Sequence, residues 1–86
     1  MFTRDNFVKR KFSDLDGRTV ISWQEKTIQG PPFEIRSTQA GVYFTGRLDG
    51  EITTEKDLEA FAELVSDAWT EHKNLAPKLT KTLSGH

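Results

Sequence analysis

The strongest structural signal in this chain is a run of apolar residues with helical spacing over about residues 54–75. Successive members are 3, 3, 1, 3, 1 and 6 residues apart, which aligns them along one side of an α-helix. Thr53 or Thr54 can cap the first turn, and Asp57 can complete a capping box with Thr54. The helix is predicted to end before Pro77. Its apolar members are Leu58, Phe61, Leu64, Val65, Ala68, Trp69 and Leu75.

Several segments ahead of this helix have the alternation of antiparallel strands. They are rich in β-branched and aromatic residues, and the residues between them are Asp, Gly and Pro, which favour turns. The predicted strands are residues 18–28, 33–38 and 42–48, and the predicted turns are residues 13–17, 29–32 and 39–41. Residues 7–12 form either a further strand or an ordered arm, with Phe7 and Phe12 against the core.

The strand at residues 18–28 decides which side chains reach the core. Alternation puts Thr19, Ile21 and Trp23 on one face, and this face is predicted to be buried. The other face carries Val20, Ser22, Gln24 and Lys26. A shift of one residue in register would exchange the two faces.

Together these patterns predict one α+β domain. Residues 1–77 are expected to form an antiparallel meander of three or four strands, with one C-terminal amphipathic helix packed on one face. Residues 78–86 are expected to be a flexible C-terminal tail. Trp23 and Trp69 are both predicted to lie in the core, because so small a chain must bury most of its large apolar residues.

Composition excludes several classes of protein. The chain has no cysteine, so disulfides, thiolate nucleophiles and Cys-ligated metals are excluded. It has two histidines, His72 near the helix end and His86 at the terminus, and neither pairs with a recognisable nucleophile. No calcium or phosphate-binding loop is present, so we expect no enzyme, cofactor or metal site. With no apolar run long enough for a membrane span, we expect a cytoplasmic protein that does not bind membranes.

The leading hypothesis for function rests on a row of carboxylates along the predicted helix. They recur every four residues and therefore form an acidic ridge, which suits docking on a larger protein with a basic surface. The protein would then be a non-enzymatic adaptor, accessory subunit or inhibitor, of the kind that phages and mobile elements encode. The ridge consists of Glu55, Glu59, Glu63, Asp67 and Glu71.

A second hypothesis uses the sheet face that the helix leaves uncovered. Cations and an aromatic ring on that face could bind single-stranded nucleic acid. The pI of about 6.1 makes this the second hypothesis, because nucleic-acid-binding domains usually carry an excess of basic residues. The residues predicted for this face are Lys26, Arg36, Tyr43 and Arg47. Pairing of an edge strand with a second copy would give a homodimer and is a further alternative.

Overall fold

The computed structural model describes residues 2–26, 30–48 and 51–76. Within them a four-stranded antiparallel sheet with strand order β1-β2-β3-β4 is followed by one long helix, which packs mainly against β3. The predicted α+β meander with one C-terminal helix is therefore confirmed. The elements are β1 (Phe7–Ser13), β2 (Thr19–Glu25), β3 (Glu34–Thr38), β4 (Gly41–Thr45) and α1 (Glu55–Leu75).

The turn between β1 and β2 is built by Asp14. Its Oδ1 atom accepts hydrogen bonds of 2.9 Å from the backbone N–H groups of Asp16 and Arg18. Gly17 has a φ of +79°, which a glycine adopts without strain. The chain therefore reverses here, and residues 7–12 form a strand rather than an arm.

The start of α1 is a capping box, as predicted. Thr54 Oγ1 accepts a 3.1 Å hydrogen bond from the Asp57 N–H, and the Asp57 carboxylate accepts from the Thr54 N–H at 3.2 Å. The same carboxylate also accepts from the N–H groups of Thr53 and Phe2. Asp57 thus holds the N-terminal residues against the helix. The Phe2 ring packs on the Phe61 ring, with the two ring centroids 5.6 Å apart.

This network predicts acid-sensitive stability. Hydrogen bonds from Thr53 and Phe2 hold the pKa of Asp57 below its ordinary value, because they stabilise the charged carboxylate. The resulting stability is present above the unfolded-state pKa of about 4 and is lost as the pH falls through the lower folded-state pKa. We expect Asp57→Asn to lower the unfolding temperature at pH 7 and to flatten its decline between pH 5 and pH 2. Glu59→Gln, at an exposed carboxylate, should leave both unchanged.

The core lies between α1 and the sheet. Leu64 and Ala68 of α1 are buried against Ile21 and Trp23 of β2 and Ile35 of β3. The predictions that Ile21 and Trp23 face the helix and that Trp23 lies in the core are confirmed. A buried hydrogen bond of 2.6 Å, from the Ser37 hydroxyl to the Ala68 carbonyl, joins β3 to the helix.

Three features differ from the sequence-based expectation. Trp69 is 52% exposed rather than in the core. Phe12 lies on the sheet face away from α1, because it is an odd number of residues from Phe7 along one strand. The strand predicted to continue to residue 48 ends at Thr45, since Gly46 turns the chain with a φ of +79°.

Parts of some predictions lie outside the described residues. These parts are residues 1, 49–50 and 77 of the predicted domain, residues 27–28 of its strand at residues 18–28, residue 29 of the turn after that strand, and the C-terminal tail at residues 78–86.

Candidate functional site

The acidic ridge winds around α1 rather than running straight along it. Four residues of α-helix advance the direction of a side chain by about 400°, so each ridge member is rotated about 40° from the one before. Glu55 and Glu59 therefore lie on the outer face of α1 and are exposed. Glu71, four steps from Glu55, lies beside the sheet and is partly buried.

Three ridge carboxylates form ion pairs within the chain. Arg4 bridges Glu63, at 3.0 Å, and Asp67. Lys9 of β1 pairs with Glu71 at 2.7 Å and lowers the pKa of that carboxyl by hydrogen bonding to it. These contacts attach the N-terminal segment and the edge of the sheet to the helix. In the described chain Glu55 and Glu59 have no ion pair, and docking of the acidic ridge on a basic partner stays a prediction.

The side of α1 opposite these ion pairs is apolar and uncovered. Leu58 is 54% exposed and Trp69 is 52% exposed, with the partly buried Val65 between them along the helix. Phe44 of β4 extends this surface onto the sheet: it is 53% exposed, and its ring centroid lies 6.4 Å from that of Phe61. We call the surface formed by Leu58, Val65, Trp69 and Phe44 the apolar flank.

The two edges of the sheet differ in charge. β1 carries three consecutive cations, Lys9, Arg10 and Lys11, and charged residues on an edge strand oppose pairing with another chain. β4 has the sequence Gly-Val-Tyr-Phe-Thr and no charged residue. No described strand pairs with its outer side. The uncharged edge lies next to the apolar flank, so both features meet on one side of the molecule.

The sheet face away from α1, which we call the open face, brings several cations and rings together. The strand registers place Arg10, Ser22, Arg36 and Tyr43 opposite one another, in one row across all four strands. The row spans about 14 Å at the usual separation of strands. The two residues of this row that the sequence predicted, Arg36 and Tyr43, are therefore neighbours.

The other two predicted members of the open face have different positions. Lys26 is exposed just after β2 and lines a shallow cleft with Val8, Arg10 and Gln24 on this face. Arg47 lies beyond the end of β4 and is not part of the row.

A depression on the open face has Ser22 at its floor. The depression has a volume of about 540 Å³ and is lined by Arg10, Lys11, Phe12, Ser22, Gln24, Glu34 and Arg36. Arg36 Nε donates a 2.9 Å hydrogen bond to Glu34 Oε1. The Cζ atom of the Arg36 guanidinium lies over the Phe12 ring, 5.6 Å from the ring centroid. Ser22 is fully buried, and its Oγ is the one buried side-chain polar atom in the described chain without a hydrogen-bond partner.

Sequence reasoning missed the contribution of β1 to this depression. Phe12 is predicted to lie against the core, and Arg10 is not among the residues predicted for the open face. The signal was available, because a turn at residues 13–17 pairs the preceding residues with those of β2 in antiparallel register. Arg10 and Phe12 then share a face with Ser22.

The histidine of α1 has a structural environment. His72 Nδ1 lies 2.8 Å from the carbonyl oxygen of Thr38, and its ring centroid lies 4.9 Å from that of Trp69. Among residues 2–26, 30–48 and 51–76, no group of three or more His, Asp or Glu side chains is arranged to hold a metal ion. No helix in that part of the chain has both the length and the apolarity to cross a membrane.

Comparisons of the chain with family profiles, curated proteins and solved structures give no match.

Proposed function

We propose that this chain is a non-enzymatic protein-binding domain that docks on another protein through the apolar flank and the free edge of β4. The observation that carries the proposal is the exposure of Trp69 and Phe44, each more than half accessible, beside an uncharged edge strand. A small domain benefits from burying such residues, and tryptophan is enriched among residues that dominate binding energy at interfaces.

The form of this surface favours an extended segment of the partner. A strand that pairs with β4 would satisfy the outward backbone groups of that edge. Alternate side chains of the added strand would then point toward α1 and contact Phe44 and the flank residues of the helix. Such a segment must be apolar at alternate positions, because the flank itself offers no charge to pair.

The charge around the flank indicates what borders that segment. Glu55 lies about 60° around the helix from Leu58, on the outer side of the flank, and Glu59 lies one turn further along. Both are exposed. A partner segment with lysine or arginine beside the Leu58 end of the flank would therefore match the acidic part of the rim, whereas Lys73 borders the flank at Trp69. This keeps part of the acidic ridge in the proposed interface, with the flank rather than the ridge as its centre.

Affinity capture with matched variants tests this proposal. The tagged chain, a flank variant (Leu58→Ser with Trp69→Ser) and a control variant (Lys56→Ser with Asn74→Ser) are compared as baits after nuclease treatment. All four positions are exposed on α1, so neither pair of changes should disturb the core. We expect one protein in near-stoichiometric amount with the parent chain and the control, and at least tenfold less with the flank variant.

Three results would contradict the proposal. Equal capture by the flank variant would show that another surface binds the partner. Loss of the captured protein after nuclease treatment would show that nucleic acid bridges the two. Light scattering that gives a dimer for the parent chain and a monomer for the flank variant would show that the flank is covered by a second copy instead.

A further inference from the structure

We propose that the depression on the open face binds a backbone phosphate of single-stranded nucleic acid, with Phe12 and Tyr43 as stacking surfaces for neighbouring bases. This activity uses the opposite layer of the molecule from the apolar flank and is independent of the docking proposed above.

The charge of the depression favours an anion. Arg10, Lys11 and Arg36 line it, and Glu34 is the one carboxylate among its lining residues. The Glu34 carboxylate accepts hydrogen bonds from the Arg36 guanidinium and, at 3.5 Å, from the Thr45 hydroxyl. These bonds hold the carboxylate at the side of the depression. Lys11 lies opposite Ile21, so its side chain belongs to the face toward α1 and its charge is not counted here. Arg10 and Arg36 against Glu34 leave an excess of one positive charge on the open face, in a chain whose formal net charge is -1.

The floor of the depression supplies a hydroxyl without a partner. Ser22 is enclosed by longer side chains, and strand pairing places Arg10 and Arg36 on either side of it. A buried polar group without a hydrogen bond is costly, and a bound oxygen would remove that cost. A phosphate oxygen can accept a hydrogen bond from the hydroxyl while its other oxygens accept from the two guanidinium groups.

The aromatic side chains favour single-stranded nucleic acid over other phosphorylated ligands. Phe12 is 37% exposed and Tyr43 is 49% exposed, and both lie on the open face near the row of cations. Proteins that bind single strands combine such rings, on which unpaired bases stack, with cations that contact the backbone. The guanidinium of Arg36 lies over Phe12 and can itself stack on a base.

Fluorescence anisotropy with a fluorescein-labelled thymidine 12-mer tests this site. We expect saturable binding that weakens about tenfold in Arg10→Gln, Arg36→Gln and Tyr43→Ala separately, and less in Ser22→Ala. If three phosphates are contacted, the slope of log affinity against log salt concentration should be about -2. Two controls should bind the 12-mer as the parent chain does. One is Lys73→Gln, which removes one positive charge from α1, and the other is the flank variant.

Arg10→Gln keeps the test decisive if Arg36→Gln loses its fold, because Arg10 is exposed and has no ion pair among the described residues. Thermal unfolding checks that each variant is folded. Binding that is unaffected by both arginine changes would overturn the proposal. Each of three other results would also overturn the proposal. These are an affinity for the duplex form of the 12-mer equal to that for the single strand, tighter binding of a phosphoserine peptide than of the 12-mer, and an affinity for inorganic phosphate equal to that for the 12-mer.

Discussion

Leu64→Ala is expected to lower the free energy of unfolding by about 2–5 kcal/mol, because it leaves a cavity at the centre of the core. Leu64 is 1% exposed and packs in the cluster that contains Trp23 and Ile35. Domains of this size are stable by about 5–15 kcal/mol, so the loss is a large share of the total. Urea denaturation at pH 7 measures it through the transition midpoint.

Leu58→Ala is the matched control for this prediction. It is the same substitution in the same helix, but Leu58 is 54% exposed and its removal creates no cavity. We expect a change within about 0.5 kcal/mol. Equal destabilisation by the two substitutions would mean that α1 packs on the sheet through a different side.

Gly46→Ala is expected to be the most disruptive glycine substitution of those that can be compared. A Cβ atom at Gly46 would lie 2.2 Å from the carbonyl oxygen of Pro32 and 3.1 Å from the Cα atom of Phe33, so backbone must move. Positive φ alone costs an alanine about 1–2 kcal/mol, and displacing packed atoms adds about 1–3 kcal/mol. The total loss of unfolding free energy is therefore about 2–5 kcal/mol.

Gly17→Ala separates these two contributions. Gly17 has the same φ of +79°, but a Cβ atom there would meet nothing within 4 Å. It should therefore lose only the contribution from positive φ, about 1–2 kcal/mol. If the two alanine variants unfold at the same urea concentration, Gly46 does not pack closely against the chain that leads into β3.

Local patterns were enough to predict the fold class. The capping box at Thr54 and the turn at Asp14 are formed by residues close in sequence, and the structure shows both. The alternation in β2 correctly placed Ile21 and Trp23 under the helix. For the cap and the turn, the interactions that decide the conformation lie within a few residues along the chain.

The error at Trp69 has a geometric cause. Relative to Leu64 at the centre of the core, Trp69 is rotated about 140° around the helix and Leu58 about 120°. The apolar run therefore wraps more of α1 than a four-stranded sheet covers, and hydrophobic spacing alone does not show which end of the arc stays outside. Strand order and the position of α1 over β3 decide this, and both depend on contacts between distant residues.

The role of the acidic ridge also depended on distant residues. Arg4 is 59 and 63 residues from the two carboxylates that it bridges. No local pattern connects them, so the sequence suggested five equivalent acidic residues. In the fold these residues divide into a paired group beside β1 and an exposed group next to the apolar flank.

Quenching of tryptophan fluorescence by acrylamide tests whether the apolar flank is uncovered in the chain alone and covered in its complex. Trp23 is 4% exposed and Trp69 is 52% exposed, so two classes of emission are expected. Trp23→Phe and Trp69→Phe variants assign the two classes. We expect Trp69 to be several-fold more accessible than Trp23 in the free chain and to become shielded when the captured protein binds. A Trp69 already shielded in the monomer, or equally quenched in the complex, would contradict it.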